Sequence, residues 1–109
     1  MSDQQSLDNL LKYVARTGKI VIGFNETLRY VKTGRVRFIV IASNIPESMK
    51  SDIEYYAKLS NVGIIEYPGS NRDLGTLLGK PFSISTLGIV ETGQVSENAL
   101  KAFVKSTTR

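Results

Sequence analysis

The chain has 109 residues, 41% of them hydrophobic and 22% charged, which suits one domain over residues 1–109 built on a single core. Cys and His are both absent, which excludes a disulfide framework, a thiol nucleophile, a Cys-ligated zinc site and imidazole acid–base chemistry. The net charge of +4 is concentrated early: residues 1–37 hold seven Lys and Arg against three acids, and residues 38–80 hold four against five.

That excess points to an anionic partner. No apolar run approaches the roughly 20 residues of a membrane span. The polar, acidic start MSDQQSLDN is unlike a secretory signal, so a cytoplasmic location without a membrane partner is the expectation.

Apolar residues at Leu7, Leu10, Leu11 and Val14 predict an amphipathic helix that ends before Gly18. KIVIG (19–23) reads as a short strand. Helical spacing returns at Phe24, Leu28 and Val31 and closes at Gly34, and VRFIVIA (36–42) has the unbroken apolar run of a strand covered on both faces.

Asn44 and Glu47 form a candidate capping box with Pro46 in an early, tolerated position, ahead of a helix burying Met49, Ile53, Tyr56 and Ala57. VGIIEY (62–67) is a third strand, and Pro68-Gly69 marks a turn. NRDLGTLLGK predicts a short helix burying Leu74, Leu77 and Leu78. FSISTLGIV (82–90) is a fourth strand, and Ser96 caps a last helix containing Ala99, Leu100 and Phe103. The alternation predicts a three-layer α/β/α sandwich around a small four-stranded sheet.

Most candidate chemistry fails on spacing. GTLLGKP (75–81) resembles a phosphate loop, but three residues instead of four separate the glycines, and Pro81 stands where a hydroxyl would hold magnesium. It also falls at a helix end, where Gly is normally a C-cap. Asp52 and Glu54 project from different sides of their helix, and Ser43, Ser83 and Ser85 have no His to activate them. No catalytic constellation, metal site or cofactor follows, and the expectation is a protein that is not an enzyme.

GFNETLRYVKTGR (23–35) is more informative. At about 100° per residue, Phe24, Leu28 and Val31 share one arc and Asn25, Arg29 and Lys32 an adjacent one, with Glu26 at its edge. One reading has Asn25 capping the helix and Glu26 favouring the positive end of its dipole. The other is recognition of guanine, whose N1–H and N2–H donors suit a carboxylate and whose O6 and N7 acceptors suit Asn, Lys or Arg. A lone acid among bases is ill suited to phosphates and well suited to guanine edges.

GFNETLRYVKTGRVRFIVIASNIP, EYYAKLSNV and GSNRDLGTLLGKPF, in that order, resemble the kink-turn-binding ribosomal protein family, in particular its large-subunit branch of archaeal and eukaryotic type. The resemblance covers about residues 5–92. It implies an α/β/α sandwich with a small mixed sheet. It also implies a structural role: binding a kink-turn, a sharply bent internal loop with tandem sheared G·A pairs, in large-subunit ribosomal RNA. The implied setting is the cytoplasmic ribosome, with neighbouring ribosomal proteins as further partners and a monomer off the ribosome.

By this resemblance the G-x-N-E motif falls on Gly23, Phe24, Asn25 and Glu26. Gly23 would admit the RNA backbone, and Asn25 and Glu26 would read guanines. Arg29 stands at the family's basic position, and Lys32 adds charge to the same helix. Gly79, Lys80, Pro81 and Phe82 match a loop that meets an extruded base, with Phe82 as a stacking platform; from the residues alone Phe82 reads as core. Asn44 and Lys50 match a third loop, with capping and a solvated charge as the competing readings.

Asn25 follows the archaeal pattern, since eukaryotic members of the branch tend to carry a basic residue there. The last helix, SENALKAFVKS, departs from the acidic tail common in the family. The resemblance requires the turn into the second helix and the bend before the last strand to lie side by side. Rival readings are a kink-turn protein of a guide-RNA or ribonuclease particle, a small-molecule-binding or catalytic α/β domain, and a protein-interaction adaptor.

Overall fold

The structure, a computed structural model, describes residues 3–104. Nine elements alternate: α1 (Asp3–Thr17), β1 (Lys19–Ile22), α2 (Phe24–Lys32), β2 (Phe38–Ala42), α3 (Glu47–Ser60), β3 (Gly63–Tyr67), α4 (Asn71–Leu77), β4 (Thr86–Glu91) and α5 (Glu97–Lys101). The strands form one sheet in the order β1-β4-β2-β3. β4 runs antiparallel to both β1 and β2, while β3 pairs parallel with β2. None of the described helices is long and apolar enough to cross a membrane.

The apolar run of β2 is explained by its central place. Phe38, Val40 and Ala42 project to one face, where they meet Leu7, Leu11 and Val14 of α1, Leu74 of α4 and Leu100 of α5. Ile39 and Ile41 project to the other, against Leu28 and Val31 of α2 and Ile53 and Ala57 of α3. The period-two alternation of a strand thus fills two cores at once, and the three-layer α/β/α sandwich follows. Each such aliphatic side chain contributes about 1.5–3 kcal/mol of burial.

Helix ends are set by backbone conformation more than by the caps expected. α2 starts at Gly23, whose φ of 109° is a left-handed value that side chains resist, and no side chain caps it. Asn25 is therefore inside the first turn and is not the cap. α3 likewise starts after Pro46 without a side-chain cap, so Asn44 and Glu47 form no capping box. The capping box belongs to α4: Ser70 accepts from the Asp73 amide at 3.2 Å, and Asp73 accepts from the Ser70 amide at 3.0 Å. Ser96 caps α5 as expected, accepting from the Ala99 amide at 3.1 Å.

The last strand is shorter than its apolar run. It begins at Thr86, and residues 82–85 form a bend in which the Ile84 amide donates to the Asn71 carbonyl at 2.9 Å. Ile84 is buried, but Phe82 is 53% exposed, which removes the core reading of its side chain. The end of α4 satisfies its carbonyls through two amides: Gly79 donates to Thr76 at 3.0 Å and Lys80 to Gly75 at 2.9 Å. This is the helix-terminating pattern in which Gly supplies the left-handed residue, so the failed phosphate loop is a helix stop.

Candidate nucleic-acid interface

Topology decides which loops meet. β1, β2 and β3 all run in one direction and β4 runs against them. The carboxyl ends of the first three strands and the amino end of β4 therefore share one rim of the sheet. Four connections converge there: the turn into α2, residues 43–46, residues 68–70, and the bend from Gly79 to Ser85.

Hydrogen bonds stitch these loops together. The Gly23 amide donates to the Thr86 carbonyl at 2.9 Å, which sets the turn into α2 beside the bend before β4. The Ala42 amide donates to Ser85 at 2.9 Å and the Ser43 amide to Gly69 at 2.9 Å. Asn44 completes the set: its Oδ1 accepts from the Asn71 amide at 2.8 Å and its Nδ2 donates to Asn71 Oδ1 at 3.2 Å. Asn71 Nδ2 in turn reaches Ser85 Oγ at 3.5 Å. Each such bond contributes on the order of 1 kcal/mol net; together they hold four loops in one register.

On this rim, Asn25, Glu26, Asn44, Gly79, Lys80, Pro81 and Phe82 are exposed, while Gly23 and Phe24 are half-buried. No atom lies within 4 Å of where a Cβ on Gly23 would be, so Gly there serves the backbone and leaves the approach open. The first amides of α2 receive no side-chain cap, so the helix offers N–H donors and a positive dipole end beside the Glu26 carboxylate. Donor and acceptor groups thus stand together, as the edge of a purine requires.

Arg29 hydrogen-bonds the Glu26 carboxylate across one turn of α2. Both groups are about half-exposed or more, at 69% for Arg29 and 49% for Glu26. An ion pair in that setting is worth about 0–1 kcal/mol, so it orients Glu26 without locking it away from a ligand.

Two expected members lie differently. Lys32 ends α2, two turns from the rim, with its ammonium 4.7 Å from the centre of the Tyr56 ring. Lys50 is in the first turn of α3, where it pairs with Glu66 of β3 at 3.2 Å and is partly buried, so the freely solvated reading does not hold. Arg35 and Arg37 lie at the opposite pole, over Tyr30 and paired with Glu97 at 2.9 Å respectively. The basic excess of the first third is therefore divided between two ends of the molecule.

Sequence reasoning missed Asn71, the hub that joins three rim loops. Its partners Asn44 and Ser85 are 27 and 14 positions away, and no local pattern marks such a pairing. It also missed Gly75, against which the bend packs: a Cβ there would lie 2.0 Å from the Phe82 carbonyl oxygen. Among the described residues no group of three His, Cys, Asp or Glu side chains is placed to hold a metal ion.

An α/β/α sandwich with a polar, loop-built rim and the G-F-N-E turn at its centre defines the class. The chain belongs to the ribosomal protein L7Ae/L30e/S12e/Gadd45 family, whose model matches residues 5–99. It is similar to the large ribosomal subunit protein eL30 of Sulfurisphaera tokodaii, 45% identical over 94 residues that make up 86% of this chain and 89% of the relative. The protein of the same name from Saccharolobus solfataricus is 45% identical over 94 residues, 85% and 87% of the two chains. That of Sulfolobus acidocaldarius is 41% identical over 101 residues, 93% and 94% of the two.

Proposed function

We propose that this protein is a structural component of the large ribosomal subunit in the cytoplasm, and that it binds and stabilises a kink-turn in ribosomal RNA. The observation that carries the RNA reading is the 2.9 Å bond from the Gly23 amide to the Thr86 carbonyl, which sets Asn25 and Glu26 on the same surface as Lys80 and Phe82. The ribosomal setting is supported by family membership and by the relatives, each a large ribosomal subunit protein.

The mechanism has no chemical step. A free kink-turn samples open and bent forms, and a protein that binds only the bent form shifts that equilibrium by its differential affinity. Glu26 accepts from the N–H edge of a guanine in a sheared pair, and Asn25 reaches an acceptor on a neighbouring base. Phe82 stacks under the base that the bend extrudes, an interaction worth roughly 1–3 kcal/mol. Gly23 admits the ribose-phosphate backbone, and Arg29 and Lys80 neutralise phosphates crowded by the bend. Asn44 acts through Asn71, holding the loops in position.

A gel shift with a kink-turn RNA and a matched RNA lacking the G·A pairs tests the reading. Binding to the first and not the second is expected; equal binding to both would remove guanine recognition. Co-purification with large ribosomal subunits, as opposed to small guide-RNA or ribonuclease particles, tests the setting.

A further inference from the structure

A groove of about 490 Å³ descends from the rim along the flank of the sheet. Its floor is apolar: Ile20 and Ile22 of β1, Ala15 of α1, and Leu77 and Leu78 at the end of α4. Lys12 and Arg16, one turn apart on α1, stand on one wall, and Lys80 stands on the other. Among the described residues no acidic side chain lines it, and none of the three cations makes an ion pair. Arg29, Arg37 and Lys50 each have a carboxylate, and Lys32 and Arg35 lie over tyrosine rings.

Arg16 lies over the Tyr13 ring, 5.7 Å from its centre, which leaves its charge in place. Three cations with no carboxylate around one groove raise the local potential and favour an anionic occupant that displaces salt counterions. The groove is also continuous with the rim. Ile22 directly precedes Gly23, and Gly79 and Lys80 belong to both surfaces. A strand leaving the rim on this side passes between the cationic walls, with its phosphates toward Lys12, Arg16 and Lys80 and its riboses over the apolar floor.

We infer that this α1–β1–α4 groove is a second RNA-binding surface, which holds the sugar-phosphate backbone of the stem flanking the loop gripped at the rim. The inference rests on the RNA reading of the rim and adds to it an interaction that reads length and charge instead of sequence. Its affinity is therefore carried by counterion release, with a salt slope that scales with the phosphates engaged.

The test uses the full chain, a kink-turn RNA with both stems at full length, and the same RNA with each stem cut short in turn. Lys12 and Arg16 are exposed on a helix, where alanine is well tolerated, and circular dichroism verifies the fold. The Lys12→Ala/Arg16→Ala double variant is expected to bind the RNA lacking the relevant stem as the parent does. On the full RNA, its plot of log affinity against log salt should be shallower by about two, one for each phosphate no longer neutralised. Raising salt from about 50 to about 200 mM should then cost the parent roughly tenfold more affinity than the variant.

Equal salt slopes for parent and double variant on the full RNA overturn the inference. So do equal losses on the full RNA and on both shortened forms, since the cations would then act on the loop or at long range. Glu26→Ala is the separate arm for the rim. If it binds like the parent while the double variant still shows a stem-dependent loss, guanine recognition by Glu26 fails and the groove stands.

Discussion

The carbonyl oxygen of Phe82 occupies the space beside Gly75 in which a side chain would stand, 2.0 Å from an ideal Cβ. The bend that carries Lys80, Pro81 and Phe82 is thus laid directly on the backbone of α4. Gly75→Ala must push the bend outward or distort the helix. Overpacking of this kind costs about 1–3 kcal/mol, offset in part by the better helix propensity of alanine. A lower denaturant midpoint is expected, together with weaker kink-turn binding by a residue that does not touch RNA. An unchanged midpoint and affinity would mean that the bend is not held there.

Glu26 and Arg29 separate the energetics of folding from those of binding. Their exposed pair contributes at most about 1 kcal/mol, so Glu26→Ala and Arg29→Ala should each unfold close to the parent midpoint. Glu26→Ala should nevertheless lower affinity for G·A-containing RNA by about 1–3 kcal/mol and leave plain duplex binding alone. Equal losses on both RNAs would count against guanine recognition.

Phe82→Ala removes an exposed ring. Its melting temperature should match the parent's, because the side chain is 53% exposed and buries little on folding. Its affinity for the kink-turn should fall by roughly 1–3 kcal/mol. A large drop in stability with no change in binding would show that the ring serves the fold and not RNA.

Asn44→Ala breaks both bonds to Asn71 and leaves the Asn71 amide without its acceptor. At this exposed site the expected cost is about 1–2 kcal/mol of stability. Amide hydrogen exchange should quicken in residues 68–71 and 82–85 and stay protected in β2. Uniform acceleration across the sheet would show that the loop network is not a separate unit.

Tyr67 gives the fold an alkaline limit. Burial, followed by the Asp8 carboxylate to which its hydroxyl is hydrogen-bonded, pushes its pKa from 10.0 up to about 12. Because the folded value is the higher one, the stabilisation is complete below pH 10.0 and declines as pH rises toward about 12, where the unfolded chain ionises first. The loss should be on the order of 3 kcal/mol. Tyr67→Phe should flatten stability against pH in that window, and phenolate titrations of parent and variant should differ by one group that ionises near pH 12.

The elements were legible where burial imposes a period. Leu7, Leu11 and Val14 mark the inner stripe of α1, and Ile39 and Ile41 alternate with Phe38 and Val40 because β2 has a core on either side. The G-F-N-E turn was legible through its resemblance to a family motif, with Gly23 at the helix start and Asn25 and Glu26 in the first turn of α2. The capping box expected at α3 did not form, and of the two readings of Asn25 the cap at α2 falls away, because Gly23 and Pro46 set the helix starts through the backbone. The start of β4 was misplaced because the alternation of Phe82, Ile84 and Thr86 resembles a strand even though the segment packs on α4.

By itself the chain of amino acids determined the order and type of elements, the two-sided core and the polar turn that identifies the family, because each depends on neighbours within a turn or a strand. Only the tertiary structure decided that residues 23, 44, 71 and 82 share a rim, that Lys32 lies two turns from it, and that Lys12, Arg16 and Lys80 face one groove. Those relations depend on strand direction and on bonds between residues tens of positions apart, such as Gly23 to Thr86. No local pattern encodes a separation of that length; it is set when the sheet assembles.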